Sequence, residues 1–128
     1  MNAIAHGIDL IECVRLQGVI DRHGDNFLKR VFTPDELAYC DGRKRKIEHL
    51  SARFAAKEAV MKVLGTGWTN GIRWTDIEVA NNPAGRPEIR LTGRCSAIAS
   101  QLGIDTVLIS ITHTAEHAMA SAIGCAKS

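Results

Sequence analysis

Residues 51–67, SARFAAKEAVMKVLGTG, read as a long helix with one apolar stripe and a glycine stop, and such a segment obliges the rest of the chain to cover it. At about 100° per residue, Ala56, Ala59, Val60, Val63 and Leu64 fall on one arc. Glu58 and Lys62 lie roughly opposite, with Phe54, Met61 and Gly65 on the same side. A solvated face has little use for Phe54 and Met61. A ligand, another part of the chain or a neighbouring subunit is expected over it. Glu58 and Lys62 read either as an i,i+4 surface pair, contributing about 0.2–0.5 kcal/mol to the helix, or as charged members of a site. Gly65 reads as a glycine in a left-handed helix cap. These glycines follow the helix, at the wrong pole for a phosphate cradle, and no G-x-x-x-x-G-K-[ST] loop occurs.

Around this helix the pattern predicts an α+β chain. Ile4 to Leu10 alternates as a strand, with Ile4, Ile8 and Leu10 on the main apolar side and Gly7 and Asp9 on the other. A helix follows with Val14, Leu16, Val19 and Ile20 apolar, and Arg15 and Arg22 polar. Thr33-Pro34-Asp35-Glu36 is a helix start, with Thr33 as N-cap, Pro34 at N1 and Glu36 closing a capping box. That helix stops at Asp41-Gly42, and the long helix runs over about Ile47–Leu64. Strands are predicted over Trp74–Ala80 and Pro87–Leu91, and a short helix over Cys95–Leu102. Thr106–Thr112 and Ala118–Ile123 form a hairpin about Thr114–His117, with Val107, Ile109 and Ile111 on one face and Leu108, Ser110 and Thr112 on the other. The expected architecture is one domain over residues 1–128, an antiparallel sheet with helices packed on one side.

Bulk properties narrow the class. The 128 residues suffice for one real core. No apolar run approaches the roughly 20 residues of a membrane span, and MNAIAHGIDLIE has no basic leader, so the expected compartment is the cytoplasm. Cys13, Cys40, Cys95 and Cys125 are scattered without zinc spacing and read as free, partly buried thiols. Net charge is only +2, but Arg43, Lys44, Arg45, Lys46, Arg53, Lys57 and Lys62 face just Glu48 and Glu58 between positions 43 and 62. A patch of this kind suits an anionic ligand or an acidic protein. The low overall charge and few aromatics argue against nucleic acid.

Two acids stand out, Asp9 near a strand end and Glu58 on the covered helix face. Two oxygen ligands from different elements, completed by water and phosphate, suit Mg²⁺. Spacing alone does not bring them together. No nucleophile system accompanies them: there is no G-x-S-x-G elbow, and strand alternation sends His113 to the face opposite Ser110 and Thr112. His6, His23, His49 and His117 are singly placed, and Trp68 and Trp74 read as core or interface residues.

Gly7-Ile8-Asp9-Leu10-Ile11-Glu12, Phe32-Thr33-Pro34-Asp35-Glu36-Leu37, Arg53-Phe54-Ala55-Ala56-Lys57-Glu58-Ala59 through Lys62 to Gly65-Thr66-Gly67, Gly85-Arg86-Pro87 and Ser110-Ile111-Thr112-His113-Thr114 together resemble the holo-acyl-carrier-protein synthase family. These are the short, single-domain 4′-phosphopantetheinyl transferases. The resemblance runs in order from about Ile4 to Ile123. It implies that Asp9 and Glu58 bind a catalytic Mg²⁺ and that Lys62 contacts the diphosphate of coenzyme A. It places Arg45, Gly65, Pro87 and His113 around the rest of that substrate, and Arg15 and Arg22 against an acidic acyl carrier protein. It also implies a homotrimer with sites between subunits, which would account for a cover over Phe54 and Met61. Residues 124–128 match nothing in the family and receive no role.

The same resemblance explains the missing nucleophile, which would be the serine hydroxyl of the apo carrier attacking the β-phosphate of coenzyme A. The base would be Glu58 or a metal-bound water. Two other classes share some of these features. Another Mg²⁺-dependent phosphotransferase on a nucleotide or diphosphate would keep Asp9, Glu58 and Lys62 without an acidic protein partner. A non-catalytic basic binding module would explain Arg43–Lys46 and leave Glu58–Lys62 as a surface pair.

Overall fold

The computed structural model describes residues 1–69 and 71–127. Along the chain run β1 (Asn2–Glu12), α1 (Cys13–Val31), α2 (Pro34–Asp41), α3 (Lys46–Leu64), a 3₁₀ turn (Trp74–Asp76), β2 (Ile77–Asn81), β3 (Pro87–Leu91), α4 (Gly93–Gln101), β4 (Thr106–His113) and β5 (His117–Ala126). The strands form two antiparallel sheets, one ordered β1-β5-β4 and the other the β2-β3 hairpin. The single expected sheet is thus divided, and the first half of the Trp74–Ala80 strand is a 3₁₀ turn. The α+β class and the helix-on-sheet packing hold.

The long helix is not a surface helix with one apolar stripe. Of its 19 residues, 13 are buried, including Ser51, Arg53 and Lys57. It lies across the first sheet on a track of small residues. Ala120 and Ala122 of β5 share one core with Ala55, Ala56 and Ala59 of α3, and Ala118 of β5 is buried as well. A Cβ on Gly7 would collide with the Ala59 carbonyl and come within 2.9 Å of Lys62 Cβ, so the close approach of β1 to α3 requires glycine there. One on Gly124 would stand 2.7 Å from Val63 Cγ1. The tail without a predicted role therefore carries structure, since β5 continues to Ala126 and pairs it with Asn2. Ser128 lies outside the described residues.

This packing decides which side of β1 is buried. Ile4, Ile8 and Leu10 do share a face, but that face is open, at 50%, 49% and 60% exposure. Gly7 and Asp9 turn toward the helix. Leu108 and Met119 join the outer face, giving the sheet an apolar outside. Met61 is buried in the core, while Phe54 packs against Phe27 and Trp74 in a second cluster. The chain itself covers Met61, whereas Phe54 stays half-buried at the edge of its cluster.

Helix ends follow the local signals. The Thr33 capping box forms as predicted, with Glu36 N donating to Thr33 Oγ1 and Thr33 N to Glu36 Oε1. Gly65 caps α3 in the left-handed region at φ 74°. Gly24, at φ 57°, breaks α1 into two pieces.

Glu36 has a second duty that capping did not reveal. It receives the Lys57 ammonium at 2.8 Å with both side chains at 0% exposure. Lys57 also donates to the Trp74 and Ile77 carbonyls, and Val79 N donates to Glu36 Oε2. One buried pair thus ties α2, α3, the 3₁₀ turn and β2 together. Lys57 is no part of a basic patch, nor is Arg53, which is buried and donates to Asn81 Oδ1 at 2.8 Å. Removing one partner of a buried pair leaves an uncompensated charge and costs about 3–5 kcal/mol. Lys57→Ala should lower stability by that amount in urea unfolding; a loss below about 1 kcal/mol would show that Glu36 finds water instead.

Candidate active site

Gly7 determines where Asp9 lies. With β1 pressed on α3, Asp9 stands two residues along the same inward face, over the helical turn that carries Glu58 and Lys62. Lys62 Nζ donates to the Ile8 carbonyl at 2.8 Å and stands 3.4 Å from Asp9 Oδ1. Its tether crosses from helix to strand, which rules out the simple Glu58–Lys62 surface pair. Asp9 Oδ2 is buried and unpartnered. Glu58 is raised above the ordinary carboxylate range, first by burial and then by the Asp9 charge, while the Trp68 indole and Lys62 pull the other way. The three residues that spacing could not join are together.

The donor set fits a hard cation. Two carboxylates repel each other, one has an idle buried oxygen, and both would be relieved by a divalent ion. Among the described residues no group of three or more His, Cys, Asp or Glu converges. Such an ion would therefore draw its remaining ligands from water and substrate, which is the habit of Mg²⁺ rather than of zinc.

The remaining predicted contacts sit elsewhere. Arg45 begins α3 and His113 ends β4, and Glu48 joins them: His113 Nδ1 lies 2.9 Å from Glu48 Oε1, and Arg45 Nε 3.7 Å from Glu48 Oε2. Glu48, buried at 5% exposure, was read from sequence only as a stray negative charge. His113 does face away from Ser110 and Thr112, as alternation required. Beside it, His49 meets its ring edge-on at 5.1 Å, and Arg43 and Arg53 stack on Tyr39 at 4.2 and 4.0 Å. Burial, then His113, Arg53 and Arg43, push His49 below the usual imidazole value. This cluster occupies the start of α3, ten residues and about 15 Å of helix axis from Glu58. Pro87 opens β3 and lines a third place, a groove of about 600 Å³ between β3 and β4 that also touches Arg86 and Ser110. Gly65 caps the helix next to Lys62.

Arg15 and Arg22 meet on one surface. A groove of about 670 Å³ is lined by Leu10, Val14, Arg15, Arg22, Phe27 and Phe54 among others. Val14, expected among the apolar residues of the helix, is 73% exposed in it.

The sequence model of the 4′-phosphopantetheinyl transferase superfamily matches residues 5–122. The chain belongs to that superfamily. The holo-[acyl-carrier-protein] synthase of Solibacter usitatus is 48% identical over 120 residues, covering 94% of this chain and 96% of that one. The crystal structure of holo-[acyl-carrier-protein] synthase from Neisseria meningitidis superposes with a TM-score of 0.88 at 26% identity, over 96% of this chain and 98% of that chain. A holo-(acyl-carrier-protein) synthase from Bacillus anthracis, solved in complex with CoA (3′,5′-ADP), does so at 0.80 and 31% identity, over 99% and 100%. Among transferases of this superfamily the chain is thus matched over almost its whole length.

The raised Glu58 carboxyl has a thermodynamic sign. Its folded value lies above the usual 4.5, so the folded chain holds that proton more tightly and loses stability as pH rises from 4.5 through the folded value. In EDTA at pH 7, Glu58→Gln should therefore melt above the parent chain, and the gain should vanish as pH falls to about 4.5. Equal melting at pH 7 would mean that neither burial nor Asp9 penalises the charged Glu58.

Proposed function

We infer that this chain transfers the 4′-phosphopantetheine arm of coenzyme A to a serine of an apo acyl carrier protein and releases adenosine 3′,5′-bisphosphate. The observation that carries this reading is the Asp9–Glu58–Lys62 cluster: it offers ligands for a cation and a charge for a diphosphate, yet holds no nucleophile. A partner must bring the nucleophile. Family membership and the relatives named as holo-[acyl-carrier-protein] synthases support a carrier serine in that role.

Mg²⁺ held by Asp9 and Glu58 would supply Lewis-acid neutralisation of phosphate oxygens. Lys62 brings a fixed positive charge, its ammonium anchored to the Ile8 carbonyl and so aimed without reorganisation. In this reading Glu58 is also the chain's own acceptor for the serine proton. The Arg15–Arg22 groove is the docking place for the carrier. Two exposed guanidiniums flank an apolar floor that includes Phe27 and Phe54, which suits an acidic helix with one apolar edge.

Arg45, His113 and Pro87 are the further coenzyme A contacts of this reading, together with Gly65. In one chain the Arg45–His113 cluster and the carboxylates lie at separate ends of α3. A homotrimer with the site shared between copies, burying the outer face of Ile4, Ile8, Leu10, Leu108 and Met119, is the assembly of this reading. Among the described residues no helix is long and apolar enough to cross a membrane. A cytoplasmic enzyme of fatty acid and lipid biosynthesis, built as one domain over residues 1–128, completes the reading.

With apo carrier, coenzyme A and Mg²⁺, the intact mass of the carrier should rise by one phosphopantetheine arm, and EDTA should abolish the gain. Turnover of a small phosphate ester without any carrier would favour another phosphotransferase instead. Arg15→Glu with Arg22→Glu should cut kcat/KM for the carrier at least tenfold, and added salt should lower the parent rate; a salt-independent rate would remove the docking assignment. Ile8→Glu should turn a sedimenting trimer into monomers and silence transfer, whereas a fully active parent monomer would exclude the shared site.

A further inference from the structure

Two acids are buried among the described residues, Glu36 and Glu48, and their partners differ in kind. Glu36 is held by scaffold groups: the buried Lys57 ammonium and the Val79 and Thr33 N–H groups. Glu48, at 5% exposure, faces two side chains that reach solvent, Arg45 at 75% and His113 at 29%. A dry carboxylate is costly unless it is paired. One whose partners are both open to a ligand fixes the geometry that the ligand meets.

The contact assigns the ring's proton. His113 Nδ1 lies 2.9 Å from Glu48 Oε1. An ionised carboxylate only accepts, so the proton of this bond sits on Nδ1. His49 meets the ring edge-on, centroids 5.1 Å apart, and limits its rotation. Nε2 is the ring nitrogen left over, with no hydrogen bond among the described residues. Arg45 Nε lies 3.7 Å from Glu48 Oε2, so the guanidinium is drawn to the same carboxylate. A proton taken up at Nε2 can then go only to a ligand, and a fixed cation stands beside it. That pairing suits a phosphate oxygen.

We propose that Glu48 is a positioning residue for the coenzyme A site: it fixes the His113 proton on Nδ1, turns Nε2 to a phosphate of the substrate, and holds the Arg45 guanidinium alongside. The kinetic arm of the test rests on the transferase reading; the tautomer does not.

Nitrogen NMR of labelled histidines at about pH 9, where imidazole is neutral, reads the tautomer directly, with His113→Gln assigning the signals. The parent chain should show a protonated Nδ1 and a bare Nε2, the reverse of what an unconstrained imidazole prefers. Glu48→Met removes the acceptor and should return His113 to the Nε2–H form. In turnover, Glu48→Met should raise KM for coenzyme A about tenfold or more, while kcat and the KM for the carrier stay within about threefold, as fits lost bonds to a charged group. Glu48→Gln keeps an acceptor for Nδ1 and should restore the tautomer and part of the affinity. A parent ring protonated at Nε2 alone would overturn the proposal, and so would a folded Glu48→Met chain with unchanged KM for coenzyme A. If the parent chain modifies no carrier, yet binds coenzyme A in calorimetry about tenfold more tightly than Glu48→Met does, the transferase reading fails and the positioning role stands.

Discussion

The contact of Gly7 with the Ala59 turn of α3 governs the geometry of this protein. Helices usually stand well off a sheet because side chains fill the gap. Here Gly7, Gly124 and the alanines of β5 leave room for the alanine face of α3 to come close. Asp9 is carried in with β1, and Lys62 reaches across to the Ile8 carbonyl. Two carboxylates and an ammonium are thereby crowded where water is partly excluded. The tight packing and the charged site are one feature seen at two scales.

On the far side of α3 the buried Lys57–Glu36 pair does a different job. It joins four elements through carbonyls, a strand N–H and a helix cap. Such pairs are poor sources of net stability but demanding about arrangement, since each lost partner leaves a dry charge. Their value here lies in holding the 3₁₀ turn, and with it Trp74, at a fixed height above the helix. Adjacent residues 57 and 58 thus divide the work: Lys57 turns inward to the scaffold and Glu58 outward to the chemistry.

The outer face of the sheet and the separation along α3 bear on each other. An apolar strand face left open at about half exposure is unusual for a chain able to turn its charged residues outward. The Arg45–Glu48–His113 cluster lies about 15 Å along the helix from the carboxylates of its own chain. Assembly through the sheet would answer both, covering the apolar strip while bringing one copy's basic end toward another's acidic centre.

Much was legible in the sequence. Local rules located the Thr33 capping box, the Gly65 cap, the β4–β5 hairpin and the inward turn of His113, because each depends on neighbours within a few residues. Motif resemblance named Asp9, Glu58 and Lys62, but only tertiary structure joined them, since nothing in their spacing reports the Gly7 approach. Periodicity correctly sorted β1 into two faces but could not say which would be buried; hydrophobicity cannot tell a face bound for the interior from one left open on a sheet. Composition counted Arg53 and Lys57 as surface charge for the same reason, as burial of an ion depends on a partner such as Asn81 or Glu36 that is distant in the chain. The residue types and their alternation belong to the sequence alone. Which face is buried, which charges are dry and which acids meet were decided by the packing of α3 on the sheet.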